Sequence, residues 1–485
     1  MPLSNPKNNQ SLLIAAGAVA FTSALWLVES YLQNRRDKQE RQKRYETCEK
    51  IQLSSVETSY AMFQSIQGIS TLTWYDGNID QVRHAMLDKV MDICLANPWL
   101  TGRLVQTGNS SSDVSLVYSN ATSERISIVS TRSFKVLSTS AGISRDTPFP
   151  ELPKRLNQLE CLVGPGIDLV DNDEYFFKVR LIPDCTHPTK KFALVVSLAH
   201  CVGDGHTFYQ LHNMLSMKDA KVQVLDPTRK PSLTDDIATA LGGKDQAASL
   251  ADPPPGFIVR FLKGVILSTL FGPRTKVELF WINQDWIQNE KDQVATDQTK
   301  KEGNDTNGIS YVSTNDILTA RFFQLCETDQ GIMSINFRGK LPGCEPNMAG
   351  NYFNYLVCRP GDCDSPAQIR SAVQEICSGT PRKPTSSPMS SWQHMASSRL
   401  FAATSNWTTF CKPVYLDNCQ QDVHIPVIPC DSQSAPARFV TGLFLFRPTH
   451  DDAAGGKHKI AAMFAGPPKV LETLKQSGMV GPSVH

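Results

Sequence analysis

The run from Phe192 to Leu198 is apolar and β-branched, and it stops at Ala199-His200 before crossing Cys201-Val202-Gly203-Asp204-Gly205-His206. Beyond it, Phe208, Leu211 and Leu215 recur at helical spacing, so the stretch predicts a strand that delivers a histidine into a turn, followed by a helix. A strand end holds an imidazole rigidly, and the glycines let backbone approach whatever lies over the ring, which suits a general base. Asp204 falls on the far side of the turn, where a carboxylate can orient a ring or brace the turn through an ion pair. A core histidine beside a tight turn is the competing reading of the same residues.

The amino terminus adds a second constraint. Ser11 to Val28 (SLLIAAGAVAFTSALWLV) is uncharged and mostly apolar, about the length that crosses a bilayer, with Trp26 and Tyr31 placed for one interface. Arg35, Arg36, Lys38, Arg41, Lys43 and Arg44 follow it, and only Lys7 and the terminal amine precede it. The positive-inside rule then keeps the rest of the chain in the cytosol. Residues 1–32 are expected to form a single-pass anchor, touching the membrane through 11–32, with the endoplasmic reticulum a candidate compartment. Residues 33–54 are expected to form a polar, helix-prone stem. A cleaved signal peptide is the alternative, favoured by Ala18, Ala20 and Ala24 and opposed by the weakly basic start; it implies a secretory or organellar protein. The Asn-x-Ser/Thr triplets at Asn109, Asn120, Asn304 and Asn406 would matter only in that luminal case.

Composition narrows the function classes. A length of 485 residues fits several domains or one large two-lobed enzyme, and a net charge of +1 gives no basic excess for nucleic acid. Thirteen Cys, scattered without a paired C-x-x-C, form neither a disulfide framework nor a zinc pattern, so a reducing compartment is the simpler expectation.

Along the chain, Val82, Met86, Leu87, Val90, Met91 and Leu95 predict a helix ending at Asn97-Pro98, with strand-like residues at Val114 to Tyr118. Tyr175 to Leu181 reads as a strand paired with Phe192 to Leu198 through a loop holding Pro183 and Pro188. Pro227, Pro231, Gly242-Gly243 and Pro253-Pro254-Pro255-Gly256 mark a crossover. Phe257 to Phe271 is expected to be a buried or surface-docked helix, with membrane contact the minority option, and 288–308 a polar loop. Ser313 or Thr314 can cap a helix with Ile317, Leu318 and Phe322 on its apolar stripe. Ile332 to Phe337 and Gly442 to Phe446 read as strands, and Gly455-Gly456 as a hairpin into a last strand beginning near Lys459.

The string His200-x-x-x-Asp204-Gly205 resembles the signature of the chloramphenicol-acetyltransferase-like superfamily, which includes BAHD acyltransferases and nonribosomal-peptide condensation domains. Pro98-Trp99-Leu100-Thr101-Gly102-Arg103-Leu104 is similar to the amino-terminal BAHD signature, and Ser313-Thr314-Asn315-Asp316-Ile317-Leu318-Thr319-Ala320 to a BAHD helix start. Asn336-Phe337-Arg338 resembles the family's Asp-x-Arg segment with Asn336 in the acidic place; Gly350-Asn351 and Ser405-Asn406-Trp407 resemble its Gly-Asn and Ser-x-Trp steps. The family's Asp-Phe-Gly-Trp-Gly motif is missing, and Asp417-Asn418-Cys419 stands roughly in its place. In BAHD enzymes that motif lies near the coenzyme A end of the channel, so its loss bears on the donor more than on the fold. The resemblance covers about residues 55–475.

The resemblance implies an α/β (α+β) fold of two chloramphenicol-acetyltransferase-like lobes, each a mixed sheet with helices, preceded by the transmembrane helix. Residues 55–225 would form the first lobe with the motif, 226–275 a crossover linker and 276–485 the second lobe. It further implies a channel entered from both faces. An acyl thioester, acyl-CoA as co-substrate with no bound cofactor, enters from one side, and a small, lipophilic hydroxyl or amine acceptor from the other. His200 would take the acceptor's proton and return one to the leaving thiolate. Asp204, Gly205 and Arg338 would support the site, Asp204 by pairing with Arg338. The residues that bind coenzyme A and the oxyanion donor stay unidentified; a monomer is expected, with no metal.

Other chemistries fit less well. Adjacent side chains in a strand or tight turn point apart, which disfavours a Cys201–His200 dyad, and His206 and His212 belong to the following helix. The three histidines match no familiar metal spacing. A binding or scaffold protein that kept the fold and lost turnover is the alternative, supported by the missing motif and opposed by the intact one around His200. A condensation-type enzyme is disfavoured by Ala199, where such domains usually carry a second histidine.

Overall fold

The computed structural model describes residues 45–485 except 109, 111, 173, 219, 247–254, 271–274, 302–310, 398, 400, 429–439 and 450–458, with backbone only at 268, 269 and 298–301. The expected anchor over 1–32 and the stem up to residue 44 lie outside these residues. Among the described residues no helix is long and apolar enough to cross a membrane. The end of the expected stem is part of the fold. Glu49–Gln52 forms β1, paired antiparallel with β4 (Val114–Tyr118), whose other side takes β3 (Arg103–Gln106).

Two larger sheets build the two lobes. The first is five-stranded, with β7 (Lys191–Leu198) at its centre between β2 (Ile69–Asp76) and β6 (Phe177–Pro183), both antiparallel to it. β5 (Phe134–Val136) closes one edge, and β12 (Gln420–Pro426), from the second half of the chain, closes the other by pairing with β2 across a register shift at Gln421/Val423. The second sheet is seven-stranded. Its order is β10 (Phe353–Cys358), β9 (Gly331–Asn336), β11 (Phe401–Asn406), β13 (Val440–Phe446), β14 (Ala461–Gly466), β8 (Lys276–Ile282) and β15 (Val480–Ser483). β11 runs parallel to β9 and β13, and every other pairing in this sheet is antiparallel.

The packing explains why β7 is so uniformly apolar. Phe192, Leu194, Val196 and Leu198 enter one core with helix α1 (Ile79–Ala96), through Val82, Met86 and Val90. Ala193 and Val195 face the other way, into a core shared with Leu279, Ala461 and Met463 of the second sheet. A central strand covered on both faces has no polar side to show. The second sheet buries Phe280, Leu443, Leu445 and Phe464 against α4 (Thr314–Leu325), α5 (Pro366–Cys377) and α7 (Pro468–Gln476). Ser313 caps α4 in a reciprocal capping box with Asp316, and Arg370 of α5 holds the Asp316 carboxylate at 2.5 Å.

Several sequence expectations change. Residues 284–301 are helical where a polar loop was expected over 288–308. This segment has no Gly or Pro; Ile287 is buried, and Glu290 is held by Arg321 at 2.7 Å, so tertiary contacts offset its weak apolar stripe. Pro183 is the last residue of β6, not part of a loop. β14 is followed by α7 and a further strand, β15, and so is not the last strand; Gly455-Gly456 lies outside the described residues. Cys358 and Cys363 form a disulfide that spans the turn after β10, although the scattered cysteines suggested none. Spacing cannot reveal such a pair, because the turn between the two cysteines brings them together.

Candidate active site

His200 follows β7 directly, where Ala199 donates its backbone N–H to Phe176 O at 2.8 Å and ends the pairing. The turn passes through Val202 and Gly203 to Asp204, which caps α2 (Gly205–Asn213) by accepting from Thr207 N at 3.0 Å. Helix and strand therefore clamp the loop at both ends. Gly205 lies against the Trp407 indole, and a Cβ there would come within 3.2 Å of its Nε1. This close approach joins the loop to the turn after β11.

The expected pairing of Asp204 with Arg338 is present. Oδ2 of Asp204 lies 2.7 Å from Arg338 Nη1 and also accepts from Tyr352 N at 3.0 Å. Arg338 donates to Met348 O from Nε, to Asp204 and Asn336 Oδ1 from Nη1, and to Thr207 Oγ1 and Gly350 O from Nη2. All five guanidinium donors are thus used, and the cation lies 4.8 Å from the Tyr352 ring centroid. Burial alone would raise the Asp204 carboxyl; Arg338, with the Thr207 N–H, outweighs it and holds the group below the usual range. Asn336, where the family has an acid, accepts from this arginine without adding a charge.

A second buried ion pair lies beneath the loop. Glu57 Oε2 meets Arg229 Nε at 2.9 Å, and Arg229 Nη2 donates to Val202 O at 3.1 Å. Asn351 bridges the pair to the histidine, its Nδ2 donating to His200 O at 2.8 Å and to Glu57 Oε1 at 3.2 Å. Glu57, Arg229 and Thr207 carry no sequence signal for this task. Glu57 lies in an irregular stretch and Arg229 in the expected linker, and only long-range folding brings them to the loop. Asn351 was marked by the Gly350-Asn351 step, without a role.

The His200 ring is half-buried, and its centroid lies 5.8 Å from that of Phe353, tilted by 46°. Burial lowers its pKa below the ordinary histidine value; its own backbone carbonyl, Asp204, Asn351 and Glu57 pull in the opposite direction. The shift favours the neutral imidazole. Nδ1 is buried without a hydrogen-bond partner among the described residues. Phe353 shares a sheet face with Tyr355, Ser334, Asn336, Ala403 and Ser405, all half-buried and alternating with fully buried neighbours. This face of the second sheet forms a partly accessible wall beside the histidine.

Cys201 and His206 take no such position. Cys201 is 1% exposed and its thiol is pushed up to about 12, chiefly by burial, which removes the thiolate. His206 and His212 both lie in α2, as expected, and burial with the Arg338 charge lowers His206 to about 4. Asn418 and Cys419 line a cleft of about 590 Å³ with Asp76 and Lys190, at the opposite end of β7 from His200.

The fold is that of the coenzyme A-dependent acyltransferases of the BAHD and chloramphenicol-acetyltransferase-like type. TRI101 of F. graminearum, solved with coenzyme A and deoxynivalenol, is similar over 88% of this chain and 97% of its own, with 14% identity and a TM-score of 0.51. TRI3 trichothecene 15-O-acetyltransferase from Fusarium sporotrichioides is similar over 89% and 95%, with 8% identity and a TM-score of 0.52. The first condensation domain of the CDA synthetase matches 90% of this chain and 95% of its own at 13% identity and a TM-score of 0.50. Neither the protein-family comparison nor the search of curated proteins finds a match to the sequence.

Proposed function

We propose that this protein transfers an acyl group from an acyl thioester, acyl-CoA, to a hydroxyl or amine of a small acceptor, with His200 as general base. The observation that carries this reading is the neutral, half-buried His200 at a strand end braced from below by Asn351, in a chain with an acyltransferase fold. The acceptor's oxygen or nitrogen attacks the thioester carbonyl while its proton passes to His200 Nε2. The tetrahedral adduct then collapses, the C–S bond breaks, and the leaving thiolate takes the proton back from the imidazolium. No acyl-enzyme forms. Asp204 and Arg338 act by holding the loop, because every atom of that pair is engaged by protein groups. The half-wet wall with Phe353 and Tyr355 suits an acceptor with apolar surface, and an amino-terminal anchor over 11–32 with a cytosolic catalytic region would bring such acceptors near.

A binding protein without turnover is the second reading, favoured by the absence of the Asp-Phe-Gly-Trp-Gly motif at Asp417-Asn418-Cys419. A screen of acyl-CoAs with total lipid extract, comparing wild type with His200→Ala, separates the two. Acylated product or thioester hydrolysis dependent on His200 supports transfer. Coenzyme A binding without either, in both proteins, supports the second reading.

A further inference from the structure

Helix α3 (Pro255–Leu270) is amphipathic in the opposite sense to an ordinary surface helix. Its inner face carries Arg260, 1% exposed, which pairs with Asp329 at 2.6 Å and stacks 4.2 Å over the Phe401 ring. Phe257 packs on the same ring at 4.9 Å. Its outer face carries Ile258, Leu262, Ile266 and Leu270, which recur every four residues and are between 42% and 66% exposed. The short helix α6 (Ser391–Ala396) lies alongside, so close that a Cβ on Gly256 would come within 2.5 Å of Ser391 Cα, and Lys263 Nζ donates to Met395 O at 3.0 Å. α6 extends the apolar strip with Trp392, which is 72% exposed, and Met395.

We propose that this outer face of α3 and α6 docks on an anionic phospholipid bilayer. The charge of the chain that carries it fits. Residues 253–277 and 376–416 contain no Asp or Glu, and Lys276, Lys383 and Arg399 are exposed on these stretches. An apolar strip with an exposed Trp, on stretches of chain that carry Lys and Arg and no acid, with the neighbouring half-buried Asp329 paired to Arg260, has the composition of an interfacial helix. Its size argues against a second copy of the chain. A strip about 24 Å long and one helix wide presents roughly 300 Å², well under the ~800 Å² per partner of a stable protein interface. A bilayer accepts each exposed side chain separately and needs no matched surface. The small extent of the exposed strip also agrees with a chain that holds the apolar segment 11–28, because tethering would make shallow insertion sufficient.

The test uses the full chain with phosphatidylcholine–phosphatidylglycerol vesicles whose acyl chains are brominated, reading tryptophan fluorescence. Trp26 and the other indoles give a background common to all variants, so the difference between wild type and Trp392→Phe isolates Trp392. We expect brominated chains to quench a component that Trp392→Phe lacks, and that Leu262→Glu/Ile266→Glu loses with an unchanged thermal melt. Replacing phosphatidylglycerol with phosphatidylcholine should weaken the quenching. Equal quenching in wild type and Trp392→Phe overturns the proposal whether or not the double variant folds. A concentration-dependent dimer that dissociates in the double variant, without Trp392 quenching, would assign the face to a second copy. Vesicle attachment through 11–28 alone leaves Trp392 unquenched, so failure of this proposal is distinct from failure of the anchor.

Discussion

Asp204 and Arg338, 134 residues apart in sequence, meet at 2.7 Å with side chains 4% and 1% exposed, and they join the cap of α2 to the strand end that follows β9. Removing one partner strands the other charge in the interior. Asp204→Ala or Arg338→Ala should each cost about 3–5 kcal/mol of stability. The double variant should be less damaged than the sum of the two, since the second change removes the stranded charge. Thermal melts and activities of the four proteins measure this; strict additivity would mean that the contact contributes nothing specific.

His200→Ala should lower acyl transfer by about 10²- to 10⁴-fold. The fold should persist, because Asn351 Nδ2 holds the backbone carbonyl of residue 200 and the Ala199 N–H ties the preceding residue to Phe176 O, and neither bond is removed with the imidazole. Circular dichroism with steady-state rates checks both parts, and undiminished turnover would remove His200 from the mechanism.

The pH dependence of activity follows from the lowered His200 pKa. A general base works when neutral, and burial keeps this ring neutral below the ordinary value of 6.5. The rate constant kcat/KM should therefore be flat above that value and fall only in more acid solution. A profile with its midpoint above neutrality would contradict the assigned environment.

His206 makes stability pH-dependent in the same region. Its folded pKa is about 4 against 6.5 for an ordinary histidine, so the unfolded chain binds the extra proton between those values. Stability should fall as pH drops from about 6.5 toward 4, and His206→Leu, facing Phe410, should flatten that slope. Urea melts across this range, compared between the two proteins, read the effect directly.

Cys201→Ala should retain transfer within a few-fold despite lying next to His200, because a buried thiol held near 12 supplies no thiolate. Thiol reagents applied to the native protein should spare it. Loss of activity on its selective alkylation would reopen a nucleophilic role.

The strand-turn-helix around His200 was legible because it lies in a short local pattern, whereas the partnership of Asp204 with Arg338, 134 residues away, was implied only by the family resemblance. β7 ends where its apolar run ends, and Asn336-Phe337-Arg338 sits at the close of a strand. Glu57 and Arg229 were not legible, since a lone charge in an irregular segment looks the same whether it is solvated or paired beneath a loop. The helix over 284–301 was missed for a related reason: its polar residues read as a loop until Arg321 and a buried Ile287 are in place. The pairing of β12 with β2 could not be read at all, because a strand's sequence shows how many faces it buries and not which sheet receives it.

That β12–β2 pairing has a consequence for how the protein is made. The edge of β2 is complete by residue 76, but its neighbour begins at residue 420. At ~5–20 residues per second of synthesis, this leaves that edge open for roughly 20–70 s. During this interval a strand edge with unpaired backbone groups is available to any passing chain. The sheet of the first lobe is therefore completed only when Gln420–Pro426 arrives, however early the lobe's own residues leave the ribosome.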